Sequence, residues 1–526
     1  MRAAPAWPGR IALASIAVTT LALLAQVRSW SPLGNGDYYL RNATDIVHGH
    51  LPHSRYSGGF PVVLSPIAAI ARGDRATMTL AASLLTALFG CIALVLVHRW
   101  LAGYLRPWTA ALTLTVFALG QVSAAFLGRG EVESLALFLV TGMLLAARSG
   151  RWPLAVVLTA CAVLVRVALG PFLGVFWLLH LRHRPRSAVA ALLVLGGGLL
   201  SHLAVGPTKD QSYVQIGGAI YGVGNGSSSS VASKIVSGVL RRAEGYVEVG
   251  IPRLVWPVRL LQTPPGIVVG IVTTLVVLTG LWLIVRAGLG APTPRTQAML
   301  TQAPSTHANL TPTTLTESTQ TTPTEATLTA ADDAARLAAR ASIAFLCFVG
   351  ALLLWPTRDG DTARMIIPAV TVPLLALGTA AQMAVDRWHP PRRLVAAAVI
   401  PVLLLGILAT GSLVAQRWTQ PDDEKDYTAA VADARGKVPA AGVVAGKPAY
   451  VQLALDVPGY EYPAGVTPAT MPALMRRTGS CALVIDGLDR AFPTDLRSWI
   501  DAHTAKVLSR VGQTSIVLYD SPRCRR

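Results

Sequence analysis

The chain has 526 residues, of which 52% are hydrophobic and only 14% charged, and its mean hydropathy is +0.50. That balance excludes an ordinary soluble globule, because several uncharged stretches approach the roughly 20 residues needed to cross a bilayer. The formal charge of +18 does not indicate a nucleic-acid partner: many basic residues sit in short clusters beside apolar spans, where they act as topology determinants.

The first apolar segment, Ile11 to Val27, follows Arg2 and Arg10 but ends in Gln26-Val27-Arg28-Ser29-Trp30, without a small-residue cleavage site. It is expected to be a retained first span. A polar stretch follows, from Gly36-Asp37-Tyr38-Tyr39 to Phe60-Pro61, read as an irregular loop. Further spans are expected at Ala76 to Val97, Trp108 to Phe126 and Val132 to Ala147, separated by the basic joint His98-Arg99/Arg106 and the acidic joint Glu131-Val132-Glu133.

Trp152 to Leu181 is too long for one ordinary span and carries Arg166 and Gly170-Pro171 in its middle, with basic flanks at both ends. It reads as a hairpin of two short helices with Arg166 near the turn, whose backbone must be covered by protein. Ser187 to Val205 is a further span, then a polar loop to Pro265, and another span from Gly266 to Val285. The Thr/Pro/Ala-rich tract 292–330 has a composition that cannot bury a core and reads as a disordered insert. Spans at Ala341 to Trp355, Ile366 to Val385 and Leu394 to Val414 complete the set, with Arg364 just before the second of them.

The fold class expected is therefore a polytopic α-helical membrane protein with about eleven transmembrane helices over residues 1–417. Five short basic joints place the amino terminus in the cytoplasm, and send the first loop, Glu131, Glu133, Arg166, Arg364 and the carboxyl terminus outside. From about Gln420 hydropathy drops. Asp422 to Arg435 and Thr494 to His503 read as helices, and Gly442 to Ala445, Ala482 to Ile485 and Ser515 to Tyr519 as strands. Residues 418–526 are thus expected to form an extracytoplasmic α/β domain. Cys481 and Cys524 adjoin two of its strands and are candidates for a disulfide. Cys91, Cys161 and Cys347 fall in apolar segments and are expected to pack as buried small hydrophobes.

Candidate chemistry gathers on the outer side. Asp37, Glu131 and Glu133 could act as general base toward an acceptor hydroxyl or as ligands for a divalent cation such as Mg²⁺ or Mn²⁺. The bland alternatives are a turn residue for Asp37 and a helix start for the pair. Arg166 and Arg364 suit a phosphate, against the alternative of arginines that merely snorkel. His48, His50 and His53 are interrupted by glycine and proline, which disfavours a metal site, and the glycines around Asn225 lack a Walker lysine.

These motifs resemble the GT-C superfamily of membrane glycosyltransferases that use polyprenyl-phosphate sugars. The resemblance rests on Gly36-Asp37-Tyr38-Tyr39, Gly49-His50-Leu51-Pro52, Tyr56-Ser57-Gly58-Gly59-Phe60-Pro61, Glu131-Val132-Glu133, Arg166 in its hairpin, Arg364 with Pro368, and the α/β tail. It implies an inverting transferase in the cell membrane, with Asp37 as catalytic base, Glu131 and Glu133 as the second acidic motif, and Arg166 and Arg364 near the donor phosphate. Asp37 is followed by Tyr38, so the Asp-Glu pair of the protein O-mannosyltransferase branch is missing. The composition, rich in Ala, Val, Leu, Gly and Arg, fits a high-GC bacterium such as an actinomycete, which suggests mannose or arabinose as the sugar. The acceptor expected is a cell-envelope glycan, lipid or protein. The rival readings are a transporter or lipid flippase, and a non-catalytic envelope assembly protein.

Overall fold

The computed structural model describes residues 7–26, 36–50, 58–72, 74–128, 130–205, 231–289, 325–354, 362–418, 422–462, 466–485, 494–521 and Cys524. His53, the glycines around Asn225 and most of the 292–330 insert lie outside the described residues.

In chain order the elements are α1 (Trp7–Ala25), α2 (Gly36–Val47), α3 (Gly59–Ala71), α4 (Arg75–Ala102), α5 (Pro107–Ala118), α6 (Gln121–Phe126), α7 (Glu133–Arg148), α8 (Trp152–Val165), α9 (Gly170–Leu178), α10 (Pro185–Val205), α11 (Val231–Gly245), α12 (Pro264–Leu289), α13 (Glu325–Leu354), α14 (Thr362–Ile366), α15 (Thr371–Trp388) and α16 (Arg392–Trp418). The tail adds α17 (Asp422–Asp433), β1 (Val443–Ala445), α18 (Pro448–Leu455), β2 (Gly459–Glu461), α19 (Met471–Thr478), β3 (Ala482–Ile485), α20 (Thr494–Ala502), β4 (Thr504–Val511) and β5 (Thr514–Tyr519).

Five helices among the described residues are long and apolar enough to cross a membrane: α1, α4, α12, residues 332–354 of α13, and residues 393–417 of α16. A sixth arises if α15 and the short helical segment before it, bent by 82°, count as one span. The chain is a multi-pass membrane protein. The other apolar helices, such as α5, α8 and residues 167–178, are shorter, so length alone does not reach the expected eleven.

Three expectations are corrected. The first polar stretch is not an irregular loop but contains α2, whose buried Asp37, Leu40 and Ala43 recur at helical spacing, and it runs on into α3. The polar segment ending at Pro265 carries α11 from Val231 onward, and α13 begins at Glu325, inside the Thr-rich tract. Cys161 and Cys347 are exposed on their helices and Cys91 is half-buried, so these thiols are not core residues. On a spanning helix the outward face meets lipid, which accepts a thiol as readily as protein does.

The described residues divide into two compact units. One comprises residues 1–24, 86–128 and 132–414; the other comprises 25–85, 129–131 and 415–526. Within the first, helices approach closely where glycine allows it. A side chain on Gly280 of α12 would stand 2.0 Å from the backbone oxygen of Ala376 in α15. Polar bonds fix the same bundle: Thr141 and Thr371 share a buried 2.7 Å hydroxyl contact, and Gln382 accepts the Arg106 backbone N–H at 2.9 Å.

In the second unit the tail forms a five-stranded sheet in the order β2-β1-β3-β5-β4, with β1 parallel to β2 and β3, and β5 antiparallel to β3 and β4. Alternation along each strand sends side chains to two faces. Val443, Ala445, Ala482, Val484 and Ile516 pack beneath Tyr427, Val431, Tyr450 and Val451 of α17 and α18. Val444, Leu483, Ile485 and Val517 pack beneath Met471, Leu474, Leu496 and Ile500 of α19 and α20. Apolar residues on both faces explain the near-continuous hydrophobic strands, buried from both sides as parallel strands usually are.

Cys481, beside β3, is joined to Cys524 by a disulfide across a sequence separation of 43. For a loop of that length the chain-entropy estimate is about 4 kcal/mol of stabilisation. Reduction of the full-length protein should therefore raise hydrogen exchange in β3 and β5 selectively. Unchanged exchange in these strands would show that the bond adds no stability.

Candidate active site

Two charged constellations stand out, one in each unit. The first is built where three helices start or break. Glu133 is the first residue of α7, where the helix N-terminus favours an acidic side chain. Arg166 is extended (φ −150°, ψ 96°) between α8 and the turn preceding α9, so its guanidinium is not carried along a helix face. Arg364 lies in α14, on the segment that bends before α15.

These breaks bring the three side chains together. Arg166 Nη1 and Arg364 Nε both donate to Glu133 Oε1. The Glu133 side chain is fully buried, and those of Arg166 and Arg364 are 11% and 15% exposed. The second Arg166 nitrogen, Nη2, meets Met365 Sδ at 2.9 Å. Glu133 Oε2 is buried without a hydrogen-bond partner. One carboxylate oxygen thus gathers two guanidiniums in a water-poor setting. Guanidinium forks match the acceptor oxygens of phosphate and carboxylate groups.

The second constellation surrounds Asp37 in the first turn of α2. Its side chain is 2% exposed, and Arg75 at the start of α4 grips it through both oxygens, Nε to Oδ1 at 3.0 Å and Nη2 to Oδ2 at 3.1 Å. The Arg75 guanidinium lies over the Tyr450 ring of α18, 4.2 Å from its centroid. A cation over an aromatic face is held by the ring quadrupole. Burial pushes the Tyr450 hydroxyl up, so the ring stays neutral. Asp74 anchors the start of α4 by accepting the Thr77 N–H at 2.9 Å and the Thr77 hydroxyl, bonds that hold its carboxyl below its ordinary value. Tyr39 packs edge-on against Phe60 at 5.0 Å, tying α2 to α3.

Of the five residues singled out in the sequence, Glu133, Arg166 and Arg364 therefore converge, while Asp37 sits in the other unit with Arg75. Glu131 is half-buried in the turn before α7, after Gly130 with its φ of +69°. In the sequence Arg75 is one of five arginines of the first loop that run against the orientation set by the short basic joints, and nothing there pairs it with Asp37. A helical reading of Gly36–Val47 would have put Asp37 on the buried face and prompted a search for its cation. Nothing local marks Tyr450, whose contact spans most of the chain. Among the described residues no three His, Cys, Asp or Glu side chains cluster as a metal ion would need.

No family model matches the chain, and no curated protein matches it by sequence. Among solved structures it is similar to ArnT from Cupriavidus metallidurans bound to undecaprenyl phosphate, with a TM-score of 0.40 and 10% identity over 97% of this chain and 98% of that one.

Proposed function

We propose that the chain is an inverting glycosyltransferase of the GT-C type, moving mannose or arabinose from a polyprenyl-phosphate donor to an extracytoplasmic acceptor such as a cell-envelope glycan, lipid or protein. The observation that carries this reading is the buried Glu133, whose single oxygen Oε1 is shared by Arg166 and Arg364. Guanidiniums gathered in this way suit a phosphate whose charge grows as it leaves, and a low-dielectric site strengthens that stabilisation.

In the proposed reaction the acceptor hydroxyl gives its proton to the Asp37 carboxylate. Its oxygen forms a bond to the anomeric carbon on the side opposite the phosphate. The carbon–oxygen bond to the phosphate breaks, its electron pair stays on the phosphate oxygen, and Arg166 and Arg364 take up the added charge. A single in-line displacement inverts the anomeric centre. Glu133 orients the two arginines, and Glu131 helps position the acceptor. Arg75 fixes the Asp37 carboxylate through both of its oxygens. The proposed topology has about eleven spans, a cytoplasmic amino terminus and an extracytoplasmic tail. The Cys481–Cys524 bond supports that location, since disulfides persist in oxidising compartments.

The test is transfer by purified protein in lipid, supplied with radiolabelled polyprenyl-phosphate mannose or, separately, arabinose, plus a crude envelope-glycan acceptor. Label should reach the acceptor from one donor, with inverted anomeric configuration. Transfer from neither donor, with a normal envelope in cells carrying Asp37→Asn, would turn the assignment toward a flippase or an assembly protein.

A further inference from the structure

A second site lies in the unit that holds Asp37. A cleft of about 290 Å³ is lined by Arg41 from α2 and by Gln452, Asp456, Val457, Pro458, Gly459 and Tyr460 from the corner between α18 and β2. That volume is at the small end of the roughly 300–1,000 Å³ usual for ligand sites. It is suited to one or two sugar rings rather than a lipid.

Polar atoms at this cleft are left over by the fold. Arg41 reaches the Gly459 carbonyl through Nη1 at 3.5 Å, while its buried Nε faces Asp45 Oδ2 at 4.0 Å, beyond hydrogen-bond reach, and has no hydrogen-bond partner among the described residues. Gln452 Oε1 is likewise buried and unpartnered. A buried donor and a buried acceptor each cost roughly 1–3 kcal/mol when unmade. Both side chains are only half-buried overall, so a small rotation brings either atom to a ligand. The pair is complementary in kind: Nε–H only donates and Oε1 only accepts. A hydroxyl does both, and neighbouring hydroxyls on a ring satisfy both residues at once.

Charge separates this cleft from the arginine cluster around Glu133. Arg41 is matched by Asp45, and Asp456 adds a further carboxylate, so no excess positive charge invites a phosphate. Pro458 and Tyr460 supply apolar surface of the sort a sugar ring's C–H face covers. The cleft also shares helices with the setting of the proposed base. Arg41 is one helical turn after Asp37 on the same face of α2, and Gln452 is two residues from Tyr450, the ring beneath Arg75.

We infer that this cleft is the acceptor subsite, and that it binds an uncharged, hydroxyl-rich glycan through Arg41, Gln452 and the Tyr460 ring. The inference deepens the transferase reading and rests on it for the word acceptor. A sugar seated there presents one hydroxyl toward α2 and Asp37, which makes the acceptor a glycan end rather than a protein side chain.

The experiment uses full-length protein in nanodiscs, titrated with a mannose disaccharide and with an arabinofuranose disaccharide, and followed by saturation-transfer NMR. One disaccharide should bind, Gln452→Leu should weaken it at least tenfold, and Gln452→Glu, which keeps an acceptor oxygen, should retain most of the affinity with the same melting temperature. No disaccharide binding, equal affinity in Gln452→Leu, or displacement by inorganic phosphate would overturn the inference. Donor cleavage is read separately on the same preparations. Disaccharide binding without donor cleavage would leave the cleft standing and remove the transferase reading; cleavage without Gln452-dependent binding would do the reverse.

Discussion

Asp37→Asn is expected to cut sugar transfer by about 10²–10⁴-fold, the range for loss of a positioned general base, while donor binding stays close to that of the parent protein. The amide keeps the shape of the carboxylate and one acceptor oxygen, so Arg75 retains a partner, but it cannot take the acceptor's proton. The side chain is 2% exposed and gripped by Arg75 through two bonds, which leaves little room for water to replace it as base. Transfer kinetics with saturating donor, alongside a donor-binding isotherm, separate the two effects. If Asn at this position transferred sugar at the parent rate, Asp37 would be the structural counter-ion of Arg75 and no more. If donor binding and melting temperature fell together, the loss would be one of fold.

Glu133→Gln should be the most damaging change to stability, at about 3–5 kcal/mol, because breaking a buried ion pair leaves charge without compensation. Here the removed carboxylate is the shared partner of Arg166 and Arg364, so two cations would face each other across a neutral amide. Thermal melting in detergent reads this directly. Adding Arg364→Met to Glu133→Gln should recover part of the loss, since it removes one of the two cations that Glu133 holds. A melting temperature indifferent to Glu133→Gln would mean that water reaches the cluster and the arginines need no counter-ion. The double variant also separates stability from function: it should melt above Glu133→Gln yet bind donor phosphate more weakly than the parent.

Much of the architecture was legible because membrane spans write themselves as composition. The break at Arg166 followed from a stretch too long for one helix with basic residues at both flanks, and the strand at Ala482–Ile485 from four apolar residues between turn signals. The first loop was misread because its glycines, histidines and prolines suggested irregular chain, while the spacing of Asp37, Leu40 and Ala43 carried the helix. In the tail, α18, β2, α19 and β4 were missed: β2 is three residues long, and edge strands of that length leave no period to detect. At the site, residue types pointed to acid–base and phosphate chemistry, but pairing did not follow from them. Glu133 meets Arg166 and Arg364 across separations that only packing closes, and Arg75 counted only as an exception to the charge rule that sets topology.

The contact between Arg75 and Tyr450 also sets an order of events during synthesis. The two residues are 375 positions apart in the chain, yet the ring completes the setting of the guanidinium that holds Asp37. At roughly 5–20 residues per second, a ribosome needs on the order of 20–75 s to pass from one to the other. During that interval α2 has emerged without α18, the tail helix it packs against in the finished protein. A nascent chain halted before its tail would therefore carry Asp37 and Arg75 but not the aromatic face beneath them, so the proposed base acquires its final surroundings only as translation ends.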